Sequence, residues 1–142
     1  MALDVGGRRI GVAMSDTMRI LASPHVTLRA EPRAAVIAQI VDLITKHEVA
    51  ALVVGLPLTL SGEVGPQAQL IHTFVAELAK HVSIPIHLVD ERLTSVEAER
   101  MMLELGMKRD QRRARIDELA ASIILRDFLE SQRADHPDGD TD

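Results

Sequence analysis

The 142-residue chain has no cysteine, no tryptophan and no tyrosine, and only two phenylalanines. Without cysteine there is no disulfide framework, no thiolate chemistry and no Cys-based zinc site. With so few aromatic rings, a module that reads bases by stacking them on side chains is excluded. No stretch approaches the ~20 consecutive apolar residues of a membrane span. Nor does a basic segment followed by a long apolar run open the chain. A cytoplasmic location with no membrane contact is therefore expected. The six histidines fall at no ligand-like spacing. What remains is a 46% apolar sequence that must build an almost wholly aliphatic core, enough for one domain.

The formal net charge of −5 argues at first against a nucleic-acid partner. Its distribution removes the argument. The last sixteen residues contain Asp127, Glu130, Asp135, Asp138, Asp140 and Asp142 against Arg133 alone, which accounts for the whole excess. The rest is neutral. Residues 1–131 read as the folded domain, and residues 132–142, polar and without apolar periodicity, as an acidic disordered tail.

Residues 2–5 read as a short strand, followed by a Gly6-Gly7 turn and an alternating strand over 9–14. Residues 21–28 read as a third strand, placed at a sheet edge by Pro24. Helical spacing covers 32–47, and the apolar run 50–54 is a strand covered on both faces. Gly55-Leu56-Pro57 breaks that run and opens a loop to Gly65. Pro66 then suits the first turn of a helix over 66–81. A strand over 85–89 ends at Asp90-Glu91, and a helix from Thr94 or Ser95 stops at Gly106. The basic stretch 108–115 leads into a last helix over 116–131. Three antiparallel strands followed by α/β crossovers imply an α/β protein with a mixed five-stranded sheet flanked by helices. Such a sheet is what a ribonuclease H-like fold looks like.

Several acids stand where apolar residues would be expected. Asp4 lies inside the first strand, and Asp90 and Glu91 close a later one. Turn initiation and helix capping are the ordinary readings. Strand alternation allows only one of the pair 90–91 to share a face with Asp4. Asp117, Ala121, Ile124 and Phe128 fall within about 60° on a helical wheel, so a carboxylate sits on the stripe facing the sheet. A buried carboxylate must find a metal, a cation or a proton. An ion pair with Arg92 or another arginine, or a capping role, is the alternative. Carboxylates converging without His or Cys suit a hard cation, Mg²⁺ or Mn²⁺. Two such ions ~3.5–4 Å apart clamp the attacking and leaving oxygens of a phosphodiester displacement.

The segments L-D-V-G-G-R-R-I-G-V-A-M-S-D (3–16), V-V-G-L-P-L-T-L-S-G-E-V-G-P (53–66), V-D-E-R-L-T-S (89–95) and I-D-E-L-A-A-S-I-I-L (116–125) together resemble the YqgF family in order and spacing. These are pre-16S ribosomal RNA nucleases, also described as Holliday-junction-resolvase-like. The resemblance implies a ribonuclease H-like fold and a metal-dependent nuclease that acts in 5′-end maturation of small-subunit ribosomal RNA. It carries the family's active-site acids onto Asp4, Glu91 and Asp117, with Asp90 as an outward or supporting partner. Arg92 would steady a carboxylate or meet a phosphate. Gly55, Gly62 and Gly65 would let backbone approach a substrate. One departure is that only Met1, Ala2 and Leu3 precede Asp4, where the family carries a longer apolar lead. A missing N-terminal stretch is the expectation.

Lys108, Arg109, Arg112, Arg113 and Arg115 precede Asp117, and Arg8 and Arg9 sit in the first hairpin turn. Flanking the acids, they would grip phosphates without reading sequence; the alternative is a solvated face. Scarce aromatics point to backbone and shape recognition, as in structured RNA (pre-16S rRNA) or branched DNA. A Holliday junction resolvase would require a homodimer to cut two opposed strands. A two-domain sugar kinase or actin-like ATPase is excluded by length. A non-catalytic nucleic-acid-binding module is the remaining reading.

Overall fold

A computed structural model describes residues 1–57, 65–91 and 94–135. The elements follow the expected order: β1 (Ala2–Val5), β2 (Arg9–Ser15), β3 (Ala22–Arg29), α1 (Arg33–Lys46), β4 (Leu52–Leu56), α2 (Pro66–Ala79), β5 (Ile86–Asp90), α3 (Thr94–Glu104) and α4 (Arg109–Asp135). They form a five-stranded sheet in the order β3-β2-β1-β4-β5. The first three strands pair antiparallel, and β4 and β5 join in parallel. The sheet is mixed, as expected, and β3 with its Pro24 is an edge strand.

Alternation divides the side chains between two faces. Leu3, Ile10, Val12, Leu52 and Val54 pack with Val36, Ile37 and Ile40 of α1 and Ile71, Phe74 and Leu78 of α2. On the opposite face Ala2, Ala13 and Val53 pack under Ala121, Ile124, Leu125 and Leu129 of α4. The small residues on this second face let α4 lie close to the sheet. The apolar surface of this helix, on which the sequence pattern also sets Leu119, Ala120 and Ile123 toward the sheet, is thus two. Leu119, Ala120 and Ile123 turn away from the sheet toward Ala98 of α3.

Three boundaries differ from the sequence reading. The basic stretch 108–115 is not a connecting loop, because α4 begins at Arg109. Arginine, glutamine and alanine are good helix formers. The same helix runs to Asp135, four residues beyond the expected end at 131. Residues 136–142 of the expected tail lie outside the described residues. β4 extends through Gly55 and Leu56 because these pair with Val89 and Asp90 of β5. Among the described residues no helix is long and apolar enough to cross a membrane.

Candidate active site

The site is built on the α4 face of the sheet. Asp4 lies opposite Gly11 of β2 and is two residues on from Ala2, which packs under α4. Glu91 continues the alternation His87, Val89, Glu91; His87 stacks on Phe128 of α4 at 5.1 Å, and Val89 packs in the same cluster. Its backbone N–H donates to the Leu56 carbonyl at 3.2 Å, which carries the β4–β5 ladder one step past Asp90. Alternation therefore gives the α4 face to Glu91 and turns the exposed Asp90 the other way. Asp117 reaches the same place from above.

The carboxyls of Asp4 and Glu91 are hydrogen-bonded to each other. Burial pushes Asp4 up to about 6; the bond to Glu91 opposes this, and the Asp117 charge adds to it. Burial likewise pushes Glu91 up to about 8, helped by the charge of Asp4, by the shared hydrogen bond and by the charge of Asp90. Both shifts have one meaning. Burial, reinforced by the neighbouring carboxylates, disfavours the charged form, so near neutral pH the pair retains a proton.

Asp117 has a different partner. Arg9 Nε donates to its Oδ2 at 2.6 Å, and the Asp117 side chain is 19% exposed. The alternative considered for Asp117, an ion pair with an arginine, is thus present beside the acidic cluster, with Arg9 as the arginine. Arg9, expected to face nucleic acid, is held by that carboxylate. The next residue, Glu118, accepts from Thr27 Oγ1 at 3.2 Å, which fixes α4 to β3, and from Arg115 Nε at 3.1 Å within α4.

Two glycines make this packing feasible, and only one was singled out in the sequence. Gly11 lies directly under the α4 backbone: a Cβ there would run into the Asp117 carbonyl. Gly55, assigned to a substrate loop, is instead a buried residue of β4. A Cβ on it would stand 2.5 Å from Glu91 Oε2 and 2.6 Å from Ile124 Cδ1, so its missing side chain is the space the Glu91 carboxyl occupies. Gly65 is the N-cap of α2. Arg92 and Gly62 lie outside the described residues, as do the side chains of Arg109, Arg112 and Arg113. Arg8 is exposed in the β1–β2 turn, where its carbonyl accepts from Ala30 at 2.8 Å. Lys108 is exposed just before α4.

Among the described residues no three His, Asp or Glu side chains form a ready-made metal cage. The donor chemistry nevertheless fits a hard divalent cation. Asp4 and Glu91 offer only oxygens, and their raised proton affinities mark a field that a cation would satisfy. Asp117 is close enough to Asp4 to raise its pKa, but it is occupied by Arg9.

The raised values set the sign of a pH effect. The folded pair binds its proton more tightly than the unfolded chain, where Glu91 has its ordinary value of 4.5. Its contribution to stability is complete below about 4.5 and is lost as pH rises toward about 8. Thermal melts in EDTA should show a falling Tm over that range. Glu91→Gln keeps a hydrogen-bonding group without the charge and should flatten the fall, exceeding the wild-type Tm at pH 8 by roughly 5 °C. Parallel pH profiles for the two proteins would refute the shared proton.

Carboxyls at the same end of two parallel strands on either side of β4, with a helix carboxylate laid over them on a mixed five-stranded sheet, define a nuclease of ribonuclease H-like architecture. Comparison with known proteins gives the same class. The family model described as RuvX, Holliday junction resolvase, matches residues 1–131, and the chain belongs to that family. A protein of Roseiflexus sp. (strain RS-1) named "Putative pre-16S rRNA nuclease" is 63% identical over 133 residues, covering 94% of each chain. One of the same name from Chloroflexus aurantiacus (strain ATCC 29366 / DSM 635 / J-10-fl) is 50% identical over 134 residues, covering 94% of this chain and 88% of the relative. Among solved structures, T. thermophilus RuvC in complex with a Holliday junction substrate aligns with a TM-score of 0.55 at 14% identity over 92% of each chain. The fowlpox virus resolvase in complex with Holliday junction DNA aligns at 0.50 and 10% identity, over 92% of this chain and 95% of that one. At such identities these two likenesses are of fold.

Proposed function

We propose that this nuclease hydrolyses phosphodiester bonds of structured RNA in the 5′-end processing of pre-16S rRNA, with Asp4, Glu91 and Asp117 as its acids and Mg²⁺ or Mn²⁺ as its cofactor. The observation that carries the reading is the Asp4–Glu91 carboxyl pair, which is largely buried, hydrogen-bonded and flanked by the further carboxylates Asp117 and Asp90. The names of these two relatives support the substrate and, with it, a cytoplasmic location.

Asp4 and Glu91 would hold the cation, and Asp117 would join them on releasing Arg9. A bound divalent cation supplies positive charge to the phosphoryl oxygens as the bond to the leaving oxygen breaks. The chain's own groups do the positioning. Gly55 gives Glu91 its place, β1 and β2 set Asp4 beneath Asp117, and Arg9, once released, turns its guanidinium toward the incoming phosphate. Because α4 closes one side of the cluster, a substrate strand would reach it past the β1–β2 turn.

A second reading, Holliday junction resolution, is favoured by the description of the family model. It requires two copies acting on opposed strands. A structured precursor RNA and a four-way DNA junction, incubated side by side with Mn²⁺ and with EDTA, separate the readings. The expected result is cation-dependent cleavage of the RNA, faster than that of the junction. Paired symmetric cuts in the junction, from a protein sedimenting as a dimer, would establish the second reading. Cleavage of neither would overturn both.

A further inference from the structure

Arg29 was not singled out in the sequence, and the structure puts it in an unusual position. It closes β3 directly opposite Arg9 of β2. Like charges facing each other across an antiparallel pair are destabilising, so packing gives no reason for the arrangement. The two arginines have separate fates. Arg9 is held by Asp117. The Arg29 side chain is exposed and has no hydrogen-bond or ion-pair partner among the described residues.

The register also fixes its face. Arg29 and Thr27 alternate with Leu28 and Val26, which pack in the α1–α2 core. Thr27 bonds Glu118 of α4, so Arg29 belongs to the same face as Asp4, Arg9 and Glu91, one pleat repeat nearer the site end of the sheet. From Asp4 it lies two strand spacings across, about 10 Å, and one pleat repeat along, about 7 Å. An arginine side chain extending from there reaches the rim of the site. Asp117 neutralises Arg9, so of the two facing arginines Arg29 is the one left to present its charge to solvent. The nearby Arg115 is already paired with Glu118.

We infer that Arg29 binds a backbone phosphate of the substrate strand that flanks the bond to be cut, anchoring the strand along the β3 side of the acidic cluster. The inference rests on the nuclease reading above and adds to it the direction in which the strand leaves the site. The contact is with phosphate, so it is independent of sequence and sensitive to salt. A guanidinium suits it because it can give two parallel hydrogen bonds to one phosphate.

The test is binding without cleavage. Fluorescence anisotropy of a labelled structured RNA is measured in EDTA over a series of salt concentrations. Arg29→Gln should weaken binding several-fold and make the slope of log K against log salt shallower by roughly 0.9. Arg29→Lys should recover most of that slope. Arg19→Gln, an exposed change at the opposite end of β2 and β3, removes the same charge from the protein and should leave the slope at its wild-type value. If Arg29→Gln and Arg19→Gln behave alike, the effect is one of net charge and the inference fails while the nuclease reading stands. If the wild-type protein binds no RNA even at low salt, both fail.

Discussion

Asp4→Asn should reduce divalent-dependent cleavage on the order of 10³-fold while leaving the protein folded and able to bind nucleic acid. Cation stabilisation of developing charge is worth several kcal/mol, and about 4 kcal/mol corresponds to that factor. The substitution is close to isosteric, and the new amide oxygen can still accept the hydrogen bond from Glu91. It removes one of two crowded negative charges, so Glu91 loses the second largest cause of its raised pKa. The variant should therefore melt no lower than wild type near pH 8. Loss of activity then cannot be assigned to unfolding. Calorimetric titration with Mn²⁺ should show the binding heat lost together with cleavage. RNA affinity in EDTA should be equal or slightly greater, because a repulsive charge has gone. Cleavage that survives in this variant would remove Asp4 from the site.

Local rules carried most of the site. A wheel over 116–128 was enough to bring Asp117 to the sheet, because a 3.6-residue period leaves few choices for where a helix side chain points. Period-two alternation left room for only one of Asp90 and Glu91 on the face of Asp4, and the family resemblance named Glu91. The pairing of Arg9 with Asp117 spans 108 positions and has no local signal. An ion pair was foreseen, and its arginine was not. Gly11 was hidden differently. In sequence it reads as one small residue of an alternating strand, and its necessity appears only once a helix backbone lies across it. The start of α4 was misplaced because clustered positive charge resembles a solvated loop, although arginine is a good helix former. Arg29 becomes informative only through its cross-strand partner, and register is a property of two strands together.

Replacing Gly11 with alanine should be among the most damaging single-methyl changes available in this chain, and its effect should fall first on stability. The added carbon would meet the carbonyl group of Asp117 and the backbone nitrogen of Glu118. These are helix backbone atoms and cannot turn aside as a side chain does. Either β2 or α4 must shift. α4 is held to the sheet by Ala121, Ile124, Leu125 and Leu129 over Ala2, Ala13 and Val53, so that shift opens a packed layer. Overpacking costs about 1–3 kcal/mol, and collision with backbone places this case at the upper end. Part is returned because alanine is less free than glycine in the unfolded chain, by about 0.4–1 kcal/mol. A net loss of about 2 kcal/mol should lower Tm by roughly 6–10 °C. Gly55→Ala makes the useful contrast. Its new carbon would meet the ends of two flexible side chains, the Glu91 carboxyl and the Ile124 methyl. The fold should adjust with a smaller loss of Tm, but Glu91 must move, and a displacement of about 1 Å can cost about 10²-fold in rate. Gly7→Ala, with nothing within 4 Å, controls for the loss of glycine itself. Melting curves and cleavage rates for the three variants should rank Gly11→Ala lowest in Tm and should separate rate from stability in Gly55→Ala. A Gly11→Ala protein melting with the wild type would mean that α4 does not lie against β2 at this point, and Asp117 would lose its place above Asp4.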